Sequence, residues 1–148
     1  MAQGTLLLFE EFAKSIGDGT HDLDTNAFKL ALITTIPTAA DASPALGDYT
    51  EVSGTNYTAG GEALTTTWTE ASGTADFKHT GGTITWTQHA SGPATIKAGL
   101  VYDTTSGVTN AAVAFIDFTS DGSTAISLID GDITWTPEAA QNRIFSLA

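Results

Sequence analysis

The stretch "GGTITWTQ" at residues 81–88 returns as "GDITWTPE" at 131–138, so Ile-Thr-Trp-Thr is written twice, each time after a glycine and a turn signal. In an extended strand successive side chains point to opposite faces. Ile84 and Trp86 therefore share one face, with Thr83, Thr85 and Thr87 on the other. Ile133 and Trp135 repeat this against Thr134 and Thr136. A strand with isoleucine and tryptophan on one side and threonine on the other has one face on a core and one in water. Each indole adds a large apolar area and an N–H that normally needs an acceptor. Trp68, inside "TTTWTE" (65–70), has the same threonine neighbours. The pattern places all three tryptophans in or near a core; the competing reading is an exposed aromatic platform for a ligand. No matching period runs through the wider chain, so the repeat is read as two packing strands rather than a duplication.

Short β-compatible runs recur on either side of these copies, at 27–36, 49–52, 63–71, 74–80, 94–103, 111–118, 124–129 and 144–147. Turn signals separate them: "SG" at 72–73, "GG" at 81–82, "SGP" at 91–93, "SDGS" at 120–123 and "DGD" at 130–132. Threonine, the commonest residue, suits a pleated surface because it is branched at Cβ. Many short strands with no alternating helices predict a mainly β chain, an antiparallel β-sandwich of jelly-roll or Ig-like type, as a single domain over 1–148.

One helix is expected, over residues 5–17. Phe9, Phe12, Ala13 and Ile16 fall at i, i+3, i+4 and i+7, and Gly17 and Gly19 end the run. The stripe docks either on the domain's own core or on a neighbouring subunit, which makes Phe9, Phe12 and Ile16 candidate partner contacts. From 37 to 62 the chain is rich in Pro, Gly, Ala, Asp and Ser, and reads as a long loop excursion. Loops of that length usually have a task, and Tyr49, Val52 and Tyr57 are its candidate contact residues.

Five Lys and Arg oppose seventeen Asp and Glu, for a net charge of −12 and a pI near 4.2. Such a field repels phosphate backbones and anionic lipid, so neither nucleic acid nor membrane is an expected partner. No cysteine is present, which removes thiolate catalysis, disulfides and Cys-based metal sites. The opening "MAQGTLLLFEEFAK" lacks a basic segment ahead of its apolar run, and the expectation is a chain made and used in the cytosol or assembled there into something larger.

Catalytic signals are weak. No serine sits in a G-x-S-x-G elbow. His21, His79 and His89 lack metal-ligand spacing and are expected in exposed loops. The carboxylates of "DGTHDLD" (18–24), and Asp117, Asp121, Asp130 and Asp132, offer oxygen ligands of the kind calcium takes, without the EF-hand spacing. Asp is equally a turn former through side-chain to backbone bonds, and that is the preferred reading. No enzyme, cofactor or metal is expected.

Six segments, "DGTHDLDTNAFKLALITT" (18–35), "EVSGTNYTAGGEAL" (51–64), "ADFKHTGGTITWT" (75–87), "AGLVYDTT" (98–105), "AFIDFTSDGS" (114–123) and "DITWT" (132–136), occur in an order that resembles a family of small tailed-bacteriophage virion proteins. "EVSGTNYTAGG" is the most specific of them. The resemblance covers nearly the whole chain and brings no catalytic residue with it. It implies a virion component assembled in the host cytoplasm, first of all a head decoration (cement) protein. Its partners would be the major capsid protein or other virion proteins, with the chain itself a homo-oligomer or symmetric array on the particle. The same resemblance admits a tail or head–tail connector component. The tryptophans and Asp-rich turns leave a carbohydrate-binding module as a further alternative.

Overall fold

A computed structural model describes residues 4–105, 107–138 and 141–147; Met1–Gln3, Ser106, Ala139, Ala140 and Ala148 lie outside it. The chain is mainly β, built from antiparallel sheets with one short helix in a sandwich-like arrangement. Its strands are β1 (Leu6–Leu8), β2 (Phe28–Ile33), β3 (Glu62–Leu64), β4 (Thr66–Ala71), β5 (Thr74–His79), β6 (Ile84–Trp86), β7 (Ala98–Asp103), β8 (Ala112–Asp117), β9 (Ile133–Trp135) and β10 (Arg143–Leu147). The helix, α1, spans Glu10–Gly17.

The two copies of Ile-Thr-Trp pair with each other. β6 and β9 run antiparallel with Ile84 opposite Trp135, Thr85 opposite Thr134 and Trp86 opposite Ile133. Each indole thus lies beside an isoleucine on the inner face, and the threonines pair on the outer one. Trp86 and Trp135 are 2% and 1% exposed, while Thr85 and Thr134 face solvent. The Nε1–H of Trp86 meets no acceptor among the described residues. Leaving that donor unpaired costs about 1–3 kcal/mol. Burying ~200 Å² of indole at ~25 cal/mol per Å² contributes roughly 5 kcal/mol, so burial wins. Trp68 is half-buried against the same core.

The largest sheet has the order β1-β8-β7-β2-β3, and a second has the order β10-β5-β4. One core lies between them and the β6–β9 ribbon, where Leu30, Leu32, Val101, Val113 and Ile116 meet Phe77, Trp86, Trp135 and Phe145. Aromatic rings bridge the layers: Phe28 meets Phe77 edge-on at 5.0 Å, Phe77 lies 5.1 Å from Phe145, and Phe145 lies 5.2 Å from Phe12. Such pairs stabilise by about 0.5–1.5 kcal/mol each beyond their area.

The five-stranded sheet is covered on its other face too, which explains the near-continuous apolar runs of β2, β7 and β8. Ala31, Ile33, Ala98, Leu100, Tyr102, Ala112 and Phe115 form a second buried cluster with Phe9, and Ile36, Ala39, Leu46 and Tyr49 close over it. The first half of the 37–62 excursion is therefore a cover for the back of the sheet.

Several sequence-based boundaries change. Helix was expected from residue 5, but Leu6–Leu8 is an edge strand paired with β8, and the helix begins only after Phe9. Leu6 and Leu8 pack on the core while Leu7 points outward, an alternation that only a strand allows. The 49–52 run makes one bridge, Glu51 to Ile33, and the 124–129 run makes one, Ile126 to Ile96; neither is a strand. The 63–71 run divides at Thr65, where the chain leaves the first sheet for the second. β4 and β5 turn at Ser72 and Gly73, whose φ values of 56° and 83° suit a tight two-residue hairpin turn.

Candidate interaction surface

The residues singled out at Phe9, Phe12 and Ile16 are brought together, and two of them are core. Phe9 is 2% exposed and stacks between Phe115 at 5.1 Å and Tyr49 at 6.5 Å. Phe12 is 3% exposed against Phe145. The helix stripe is thus largely consumed by the chain's own interior. What remains outside is a shallow cleft of about 420 Å³ lined by Leu8, Phe9, Glu10, Phe12, Ala13, Ile16 and Leu147. Ile16 is half-buried in its wall. Leu8 and Leu147 were not anticipated there, because the pairing that puts β10 beside α1 is not visible in either local pattern.

Val52 and Tyr57 serve a different structure. Val52 is 5% exposed, and its N–H donates to the Leu32 carbonyl at 3.0 Å. The Tyr57 hydroxyl donates to Glu51 Oε1 at 2.5 Å and accepts the Leu32 N–H at 3.0 Å. The same Glu51 oxygen accepts the Gly60 N–H at 2.5 Å, and the Tyr102 hydroxyl donates to the Gly60 carbonyl at 2.6 Å. Gly61 follows with φ +74°, so close to β2 that a Cβ would stand 2.0 Å from the Leu30 carbonyl oxygen. The stretch "EVSGTNYTAGG" is therefore a knot that fastens the loop to β2 and β7. Burial, and then the Glu51 carboxylate, raise the Tyr57 hydroxyl far above the usual phenol range; the same two causes raise Tyr102. Tyr49 is half-buried and donates to Asp41 Oδ2 at 2.8 Å; burial and then Asp41 raise it as well.

Two histidines expected in exposed loops are buried. His21 is 4% exposed, with Nδ1 3.0 Å from Asp103 Oδ2. The Asn26 amide donates to the same carboxylate oxygen at 2.6 Å, and the Thr105 N–H to the other oxygen at 2.8 Å. His79 is 3% exposed, stacks on Trp135 at 6.1 Å and accepts the Thr65 N–H on Nδ1 at 3.0 Å. Burial lowers its pKa from the usual 6.5. Each imidazole needed a partner from a distant segment, which no local signal announces. His89 is exposed, as expected.

Asp18, Asp22, Asp117 and Asp121 act as turn formers, while Asp132 Oδ1 instead accepts the N–H of the distant Gln88 at 2.7 Å. Asp22 Oδ1 accepts the N–H groups of Asp24 and Thr25 at 3.0 and 3.3 Å. Asp121 Oδ1 accepts those of Ser123 and Thr124 at 2.9 and 2.7 Å. The Thr124 hydroxyl, then these backbone bonds, hold the Asp121 carboxyl far below the usual range. Among the described residues no group of three or more His, Asp and Glu is placed to hold a metal, and no helix is long and apolar enough to cross a membrane. No protein-family model, curated protein or solved structure matches the chain.

Proposed function

We propose that the chain is a bacteriophage virion structural protein that decorates the head, a cement protein joined to the major capsid protein by protein–protein contacts. The sequence resemblance motivates this reading. The observation that carries it furthest is the burial of Trp86 and Trp135 on the inner face of the paired repeat. With those rings packed inward, the aromatic equipment of a ligand-binding module is spent on holding layers together. The buried histidines are likewise engaged in structure, one on Asp103 and one on Trp135. We read the chain as non-enzymatic on the same ground. A surface of threonines and solvated carboxylates at net charge −12 keeps crowded copies from clumping, while specific contacts seat each one.

The test is rebinding. Purified protein added to expanded heads that lack it should bind to saturation at a stoichiometry set by capsid symmetry, and should raise head resistance to heat. Absence of binding, together with co-fractionation of the protein with isolated tails, would favour the tail or connector reading that the same resemblance allows.

A further inference from the structure

We propose that the outer edge of β1 is a self-association site, where a second copy of the chain adds its own β1 antiparallel across a two-fold axis at Leu7. Phe9 donates its N–H to the Val113 carbonyl at 3.2 Å, and Phe9 and Val113 continue the register in which Leu7 faces Phe115. In an antiparallel ladder the hydrogen-bonded pairs alternate. Phe9 and Leu7 therefore direct their backbone groups at β8, and Leu6 and Leu8 direct theirs away from it. No strand lies beyond β1 among the described residues.

The occupant is a second copy for three reasons. First, the geometry is self-complementary: a two-fold at Leu7 sets Leu6 opposite Leu8 of the second copy and Leu8 opposite its Leu6. Both are pairs that exchange two N–H···O bonds, so every outward group is satisfied. Second, Leu7 is 51% exposed, the most exposed large apolar side chain among the described residues, and this pairing places it against its own counterpart. Third, charge permits it. From Gly4 to Phe9 the chain carries no charge, in a molecule of net charge −12. β3, β4 and β10, the other terminal strands of the two larger sheets, carry Glu62, Glu70 and Arg143. Charged residues are a common guard on edges, and β1 lacks them.

The short strand limits strength. A three-residue edge falls well below the about 800 Å² per partner of a stable interface, so the pair forms at high local concentration, as among copies held side by side. The inference does not rest on the capsid reading, and its test uses no capsid. Sedimentation of the wild-type chain, with salt to screen its charge, should show a monomer–dimer equilibrium by about 1 mM, the effective concentration of closely held modules. Leu7→Lys should abolish it and Ile129→Lys, at the other exposed large apolar residue among those described, should leave it intact. The chain has no cysteine, so Leu7→Cys gives a single reporter. A non-hydrogen-bonded antiparallel pair brings Cα atoms to about 4.5 Å, within disulfide reach. Under mild oxidation Leu7→Cys should form dimers at least about tenfold faster than Ile129→Cys. A wild-type chain that stays monomeric, equal oxidation rates for the two cysteines, or dimers undisturbed by Leu7→Lys would overturn the assignment.

Discussion

Glu51→Ala separates a loop that fastens the fold from a loop that merely decorates it. One carboxylate oxygen accepts the Tyr57 hydroxyl and the Gly60 N–H, both at 2.5 Å. Hydrogen bonds to a charged acceptor stabilise by roughly 1.5–3 kcal/mol each. Glu51 is half-buried, which puts these two at the lower end, so the substitution should cost about 3 kcal/mol. Out of the ~5–15 kcal/mol that holds an ordinary domain together, that is a large share. In urea, with a slope of about 2 kcal/mol per M, the midpoint should fall by roughly 1.5 M. Tyr57→Phe removes the same donor and also strips the Leu32 N–H of its acceptor, for a loss of about 1–3 kcal/mol. Because both changes break one shared bond, the double variant should fall short of the sum by about 1 kcal/mol. Far-UV circular dichroism against urea gives all four values. A loss under about 0.5 kcal/mol for Glu51→Ala, the scatter of ordinary surface changes, or strict additivity, would refute the knot.

Trp135→Ala should cost about 3–5 kcal/mol, the usual range for emptying a core tryptophan site. Thr134→Ala on the solvent face should stay within about 0.5 kcal/mol; equal losses at the two sites would show that the inner and outer faces of the repeat are misassigned. His79 supplies a pH dependence. Its folded pKa is lowered by burial from 6.5, so the unfolded chain takes up a proton first. Its contribution is present above that value and is lost as pH falls through the lowered one. The denaturation midpoint should therefore drop from about pH 8 to about pH 5, and less steeply in His79→Asn, whose amide oxygen can accept the Thr65 N–H in place of Nδ1. Identical pH profiles for the two proteins would contradict this.

The strands with a clean period of two were legible in the sequence, and the repeat most of all, because Ile and Trp alternating with Thr leaves only one face for the core. That the copies pair with each other was not legible, since register depends on contacts far apart in the chain. Leu6–Leu8 is a strand where the sequence predicts helix: three leucines carry no period of their own, and only β8 makes them a strand. Residues 124–129 look like a strand yet end in a turn, where the Ile129 N–H donates to the Ser127 hydroxyl at 3.0 Å. The cover over the back of the sheet is built from Ile36, Ala39, Leu46 and Tyr49, apolar residues scattered without a period among small and polar ones. The amphipathic stripe of the helix is legible in the sequence, but the amount of it left outside depends on how deeply Phe12 sinks beside Phe145, which is a tertiary matter.

Hydrogen exchange at the three indole N–H groups, followed by NMR, tests the central claim directly, namely that the repeat closes the interior and leaves the outside for contacts. Trp86 and Trp135 should exchange slowly, on the scale of global unfolding, while half-buried Trp68 exchanges faster, and oligosaccharides should shift none of the three signals. Rapid exchange at Trp86 and Trp135, or signals that move on adding a glycan, would mean that the rings line an open site.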